Sequence, residues 1–338
     1  MDLGAVVVVP NREDLAAVQE TQSRVSAVAR NPRPFYSSRM PILGNDVLHS
    51  WTERVRKVGV QTLWLTASAC DDSAACVALP EFARAGVEQL LLIKLKSYAE
   101  IDLADLLRFH CERRNPVTEA HDEQGQLGVC LLNPRELPLT GEHEFFPPTT
   151  SRGRIPYQFR GYAKRILAAR ERQELVGDGL TGACAMRPFG TQIRDQVWIG
   201  EGVSLADSVR VNGPTYIGAR TIVRAGATIG PFASVESDCV VDCGTTVERS
   251  TVLPQTYLAP GLLIRHKLVD GRYLEDLASG VVADLQPAGL GGRIDRRASG
   301  NPAVHEQAID FFPRAAGAFA QAAARSAAAT QPWLQVHL

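Results

Sequence analysis

The sequence predicts an α/β domain followed by a parallel β-helix of hexapeptide repeats and a helical tail. Two observations predict it. The first is an unbroken period of six in aliphatic residues: Ile193, Ile199, Leu205, Val211, Ile217, Val223, Ile229, Val235, Val241, Val247 and Leu253. Helices and plain strands repeat at about 3.6 and 2 residues, so a period of six belongs to neither. The second is an alternation of short apolar runs with amphipathic stretches in the first half of the chain, the pattern of a doubly wound parallel sheet.

Residues 5–9 read as a buried strand, and 12–29 as a helix that gathers Ala17, Val18, Val25 and Val28. Asn45 or Asp46 caps a second helix that runs to Val58 and stops at Gly59, and 60–65 is the next strand. A short helix near 81–85 leads into the strand GVEQLLLIKL. Residues 102–114 then form an amphipathic helix, and VTEAHDEQGQLGVCLL is a hairpin turning at 123–125.

In the repeat, a small or β-branched residue follows four places after each aliphatic but the last: Val197, Val203, Val209, Thr215, Thr221, Ala227, Ala233, Cys239, Thr245 and Thr251. Glycine sometimes follows the aliphatic directly, as at Gly200, Gly218 and Gly230. Each hexad supplies one short strand, three hexads make a coil, and successive coils stack about 4.8 Å apart. One rung cannot bury its apolar side alone, so a run is required. Beyond it, QPAGLGGRIDRRASGNP is a linker, and AVHEQAIDFFPRAAGAFAQAAARSAAAT is helical by propensity with an interruption at Pro313. Phe311, Phe312 and Phe319 there offer an apolar patch for docking. The expected units are 1–182, 183–285 and 286–338.

Composition narrows the function. Of the 338 residues 45% are apolar and 22% charged, which suits a globular chain with proper cores. The net charge of −1 and the lack of any Lys/Arg block give no footing for nucleic acid. The opening MDLGAVVVVPNRED has too short an apolar run and no basic lead-in for a signal peptide or span, so a cytoplasmic protein without a membrane partner is expected. Seven scattered cysteines without a CxxC pair indicate neither disulfides nor zinc. No GxSxG, HExxH or P-loop is present, and Asp71-Asp72 reads as a cap or turn. His110 reads as structural. No histidine lies within the repeat, and His266 just beyond it is the one candidate base for acyl transfer, a chemistry that some hexapeptide β-helices perform.

Three segments carry a family resemblance. MPILGNDVLHSWTERVRKVGVQTLWL is similar to the stretch of sugar nucleotidyltransferases that leads from the substrate loop into the second helix. IDLADLLRFHCERRNPVTEA resembles their helix after the metal-binding strand. GYAKRILAARERQELVGDGLTG resembles, without gaps, their closing Gly-Tyr-Trp-x-Asp-Ile-Gly segment and its helix. The resemblance covers roughly residues 1–285. It implies a truncated Rossmann-like nucleotidyltransferase domain followed by a left-handed β-helix.

Measured against that family, the chain departs where the chemistry lies. The Gly-Gly-x-Gly-Thr-Arg phosphate loop is replaced after Val9 by Pro10, Asn11, Arg12 and Glu13, and no glycine occurs between Gly4 and Gly44. Only glycine lets backbone N–H groups approach nucleotide phosphates that closely. The two carboxylates that hold magnesium in the family fall on Lys96, in the pair Leu95-Lys96, and on Arg165. The family's Trp is Ala163. Its substrate-loop lysine aligns with Ser37, or with Arg33 of Pro32-Arg33-Pro34 if four residues are inserted. The resemblance therefore implies no catalytic residue, metal or cofactor. It leaves Arg33, Lys96, Gly161 and Arg165 as candidates to bind a sugar nucleotide or sugar phosphate, with two cations in place of a metal. The expected function is a regulatory or scaffold subunit of sugar-nucleotide or polysaccharide metabolism, as a homo-oligomer or with a partner nucleotidyltransferase. The alternatives are a divergent sugar-1-phosphate nucleotidyltransferase and, third, an acyltransferase.

Overall fold

A computed structural model of the chain describes residues 3–9, 41–45, 47–60, 62–67, 82–95, 97–135, 156–285, 289–294 and 333–337. The helix expected at 12–29, Arg33, Asp71-Asp72, Lys96 and most of the Ala-rich tail lie outside these residues. No helix among them is long and apolar enough to cross a membrane.

In chain order the α/β part comprises β1 (Leu3–Val9), α1 (Val47–Lys57), β2 (Thr62–Ala67), β3 (Gln89–Lys94), β4 (Ser97–Ala99), α2 (Leu103–Arg113), β5 (Val117–Asp122), β6 (Gly125–Leu132), β7 (Tyr157–Gln158), β8 (Ala163–Arg165) and α3 (Ala169–Thr181). The main sheet has the order β2-β1-β3-β6-β5-β7. The predicted parallel pairing holds for β1 with β2 and β3. β6 is reversed, because the tight turn that joins it to β5 can only link antiparallel neighbours. At the other edge Trp333–His337 pairs antiparallel with β2, so the end of the chain is a strand and not part of a helix.

Local signals explain the helices. α1 buries Val47, Leu48, Trp51 and Val55, one face of a helix. Asp102 caps α2 by accepting from the amides of Ala104 at 2.9 Å and Asp105 at 3.3 Å. Buried His110 sits with Nδ1 2.8 Å from Thr118 Oγ1 and Nε2 2.6 Å from Gln89 Oε1. Burial pushes its imidazole down to about 4, so it stays neutral and structural.

The β-helix has three faces. The first stacks Val197–Ile199, Thr215–Ile217, Ala233–Val235, Thr251–Val252 and Lys267–Asp270. Ser204–Leu205, Ile222–Val223, Val240–Val241 and Thr256–Leu258 form the second. Arg210–Val211, Thr228–Ile229, Thr246–Glu248 and Leu263–Arg265 form the third. Ile217, Val223, Ile229, Val235, Val241 and Val247 all point into a sealed core, as the period requires.

Two rungs differ from the sequence expectation. Val235 pairs with Val252, so the inward residue there is Val252 and the step from Val247 is five. Leu253 instead packs outside the prism against Ala169 and Leu268, and Thr251 turns out to donate to Gln173 Oε1 at 2.6 Å. The core then continues through Leu258, Ile264 and Val269, the last again after a step of five. At the start, Ile193 is 43% exposed because Thr191–Arg194 runs antiparallel to Val197–Ile199 as a cap.

One buried carboxylate fastens the β-helix to the α/β part. Glu236 Oε1 accepts from Leu43 N and Ser234 Oγ, and Oε2 accepts from Gly44 N, each at 2.9 Å. Buried Arg172 of α3 lies in the field of Glu236 and Asp270 and donates to Pro41 O. Gly44 has φ +76°, and a Cβ on it would fall 2.2 Å from the Tyr216 hydroxyl, so only glycine fits.

Burial pushes the Glu236 carboxyl up from 4.5 to about 7, against the pull of Arg172, Ser234 and the two amides. A folded value above the unfolded one means stability that is complete below about pH 4.5 and lost as pH rises through about 7. Glu236→Gln removes this titration. Urea unfolding across that window is expected to show the wild type losing stability relative to Glu236→Gln as pH rises; parallel profiles would contradict it.

Candidate functional site

Because β6 is the one reversed strand between β3 and β5, the carboxyl ends of β1, β2, β3 and β5 share one edge of the sheet. Open α/β sheets bind ligands outside that edge. A second, two-stranded sheet stands beside it, in which Ser97, Tyr98 and Ala99 pair with Arg165, Lys164 and Ala163. Ser97 is anchored from the main sheet through Ser97 Oγ–H to Leu127 O at 2.6 Å.

Arg165 therefore arrives at the carboxyl end of β5, and there it meets Asp122. Its guanidinium forks onto the carboxylate, Nη1 to Oδ2 at 2.9 Å and Nη2 to Oδ1 at 2.7 Å. The remaining donors reach Gln124 Oε1 at 3.0 Å and Gln126 O at 3.2 Å. Such a fork is the strong form of a charge-assisted pair. It holds the Asp122 carboxyl below its ordinary range.

The other sequence candidates divide. Arg33 and Lys96 lie outside the described residues, so Arg165 is the described half of the expected pair of cations. Gly161 stands just before β8 on the exposed side, where a Cβ would come 2.5 Å from the Phe159 ring. Between Gly161 and α3, Tyr162 O–H donates to Asp178 at 2.5 Å, and Lys164 meets Glu174 at 3.0 Å and Asp178 at 3.6 Å. These contacts tie β8 to α3. His266, the candidate acyl-transfer base, lies far along the chain at a corner of the β-helix beside α3.

Sequence reasoning missed a polar trio on β5 and β6. Glu119 Oε2 accepts from Gln126 Nε2 at 2.9 Å and lies 3.2 Å from His121 Nε2. The signal was available: Glu119 and His121 are two apart on a strand, hence on one face. Asp122, which the hairpin reading left just before the turn at 123–125 with no role of its own, was missed as the partner of Arg165 in the same way. Among the described residues no three His, Cys, Asp or Glu side chains are grouped to hold a metal ion.

No family model matches the chain. Over 102 residues, 30% of its length, it is 32% identical to a UTP--glucose-1-phosphate uridylyltransferase of Synechocystis sp.. That match spans 26% of the relative's own length. Among solved structures it is similar to HddC from Yersinia pseudotuberculosis, with a TM-score of 0.36 and 13% identity over 53% of this chain and 99% of that one.

The Arg165 fork gives a direct spectroscopic expectation. In a carbon-detected NMR titration, the Asp122 carboxyl is expected to titrate below an ordinary aspartate in the wild type and to move up in Arg165→Gln. An Asp122 that titrates alike in both proteins would refute the pairing.

Proposed function

We propose that this chain is a nucleotidyltransferase-like protein that binds a sugar nucleotide or sugar phosphate without turning it over. In this reading it serves sugar-nucleotide metabolism as a regulatory or scaffold subunit, self-associated or joined to an active nucleotidyltransferase. The supporting observation is the ion pair of Arg165 with Asp122 at the sheet edge where ligands bind. The resemblance places a magnesium-binding carboxylate at position 165, and a guanidinium there donates where a metal ligand must accept. Asp122 beside it is neutralised by that guanidinium, which bonds both of its oxygens. The residues at this point do not fit magnesium, so no metal-assisted step is derived through them.

A second reading, a divergent sugar-1-phosphate nucleotidyltransferase, is favoured by the partial similarity to a UTP--glucose-1-phosphate uridylyltransferase. Pyrophosphate release separates the two. With nucleoside triphosphates, sugar 1-phosphates and magnesium, the expected signal stays at the level of the protein-free control; turnover would sink the first reading. Binding is tested separately, by calorimetry with UDP-glucose. Lys96→Glu, which reverses a charge at the second aligned position, is expected to weaken it by about tenfold, in line with one charge-assisted hydrogen bond. Equal affinity would remove Lys96 from the site.

A further inference from the structure

α3 and the β-helix border an open cleft of about 350 Å³, lined by Arg170, Gln173, Gly177, Phe232, Arg249 and His266 among others. Its origin lies in the corner where the third face of the prism turns into the first. Three successive coils cross that corner through Phe232, Arg249 and His266, with φ of 55°, 47° and 51°. Each amide there is bonded to the coil below: Phe232 N to Pro214 O at 2.6 Å, Arg249 N to Pro231 O at 2.9 Å and His266 N to Glu248 O at 3.3 Å. Both five-residue steps, from Val247 to Val252 and from Ile264 to Val269, fall at this corner. The result is a column of phenyl ring, guanidinium and imidazole along one edge of the prism, beside α3.

The occupants of this corner differ from those of the other two. A left-handed backbone is costly for an L-residue, and glycine avoids that cost. One corner accordingly has Gly226, Gly244 and Gly261. At another, Arg220 forks onto Asp238 of the next coil at 2.7 Å through two donors, so its cation is matched by a carboxylate. Arg249 has no such partner among the described residues. Its guanidinium carbon lies 5.1 Å from the centroid of the Phe232 ring, a cation–π contact that consumes none of its N–H donors.

The opposite wall is fixed and carries one guanidinium, Arg170, 3.8 Å from Glu171. Gln173 is held at both ends of its amide, donating to Phe232 O at 2.9 Å and accepting from Thr251 Oγ1 at 2.6 Å. Glu174 is the one carboxylate among the lining residues, and Lys164 takes it at 3.0 Å with Arg170 at 3.9 Å. A cleft of this size suits a small molecule, and the unmatched Arg249 guanidinium suits an anion with several acceptor oxygens.

We propose that this cleft binds a phosphorylated small molecule, its phosphate held by Arg249 and His266 with Arg170 completing the cationic wall. The site uses other side chains than the strand-end residues and does not depend on the function proposed for them.

The test is calorimetry on the full chain with glucose 1-phosphate and inorganic pyrophosphate as probes and glucose as the uncharged control. Arg249→Gln and His266→Asn are made separately, since glutamine removes the charge and asparagine tolerates the left-handed corner; thermal unfolding checks that each is folded. The expected result is that both phosphate probes bind and glucose does not. Each of the two variants weakens binding about tenfold or more, while Arg220→Gln, at another corner of the prism, leaves it unchanged. The proposal is overturned if neither probe binds the wild type, if glucose binds as well as its phosphate, or if both cleft variants bind as the wild type does. Should Arg165→Gln weaken binding while both cleft variants leave it intact, the phosphate belongs to the strand ends, which supports that reading and removes this one.

Discussion

The arrangement of the whole molecule depends on the burial of Glu236. A carboxylate with no exposed surface loses several kcal/mol of hydration, which its hydrogen bonds and an opposing charge offset only in part. Its donors come from three places: Ser234 beside it on the prism, the amides of Leu43 and Gly44 before α1, and the field of Arg172 on α3. Only one docking of the α/β part on the β-helix brings all three together. Any other leaves a buried anion and a buried guanidinium without compensation, so the contact acts on specificity of arrangement as much as on stability.

The repeat itself shows how that position came to be available. The residue immediately after the inward aliphatic on the first face is Gly200, then Gly218, Glu236, Leu253 and Asp270 in successive coils. In the first two coils a Cβ there would strike backbone of the next coil, at 2.4 Å for Gly200 and 2.5 Å for Gly218. From the third coil on, the column carries side chains, and those side chains are the ones that meet α3 and the loop before α1. The change from glycine to Glu236, Leu253 and Asp270 is thus the sequence trace of the docking surface. Its partner residues lie about 190 positions away, too far for any local pattern to reveal them.

Much of the fold was legible because its causes are local. Inward positions of a prism must be apolar, and the helices announced themselves through Asp102, Gly59 and their apolar faces. The misread rungs have a common cause in the run Thr251-Val252-Leu253, where two adjacent aliphatics satisfy a step of five or of six equally well. Only the ladder, with Ser234 opposite Thr251, decides between them. Ile193 likewise kept the spacing while lying in an antiparallel cap. At the site, position 165 was legible through the resemblance, whereas Asp122 was not, since its partner lies 43 positions further along the chain and no local pattern joins the two. That partner changes the electrostatics. Arg165 contributes a neutralised pair in place of a bare charge, which makes the strand-end pocket less cationic than a reading of Lys96 and Arg165 alone suggests.

The β-helix separates structural duty from everything else with unusual clarity, because its backbone is set by one inward residue per strand. The outward positions then diverge without disturbing the core. One corner holds glycines that merely relieve the backbone, another holds Arg220 and Asp238 as a closed ion pair, and a third holds Phe232, Arg249 and His266. The same left-handed turn hosts all three sets, so the turn does not explain the difference between them. What distinguishes the third corner is its neighbour: it is the one that α3 covers, with Gln173 hydrogen-bonded to it and the coils shortened beside it. Docking by Glu236 therefore does more than fasten two parts together, since it also turns an ordinary edge of the prism into one wall of a cleft.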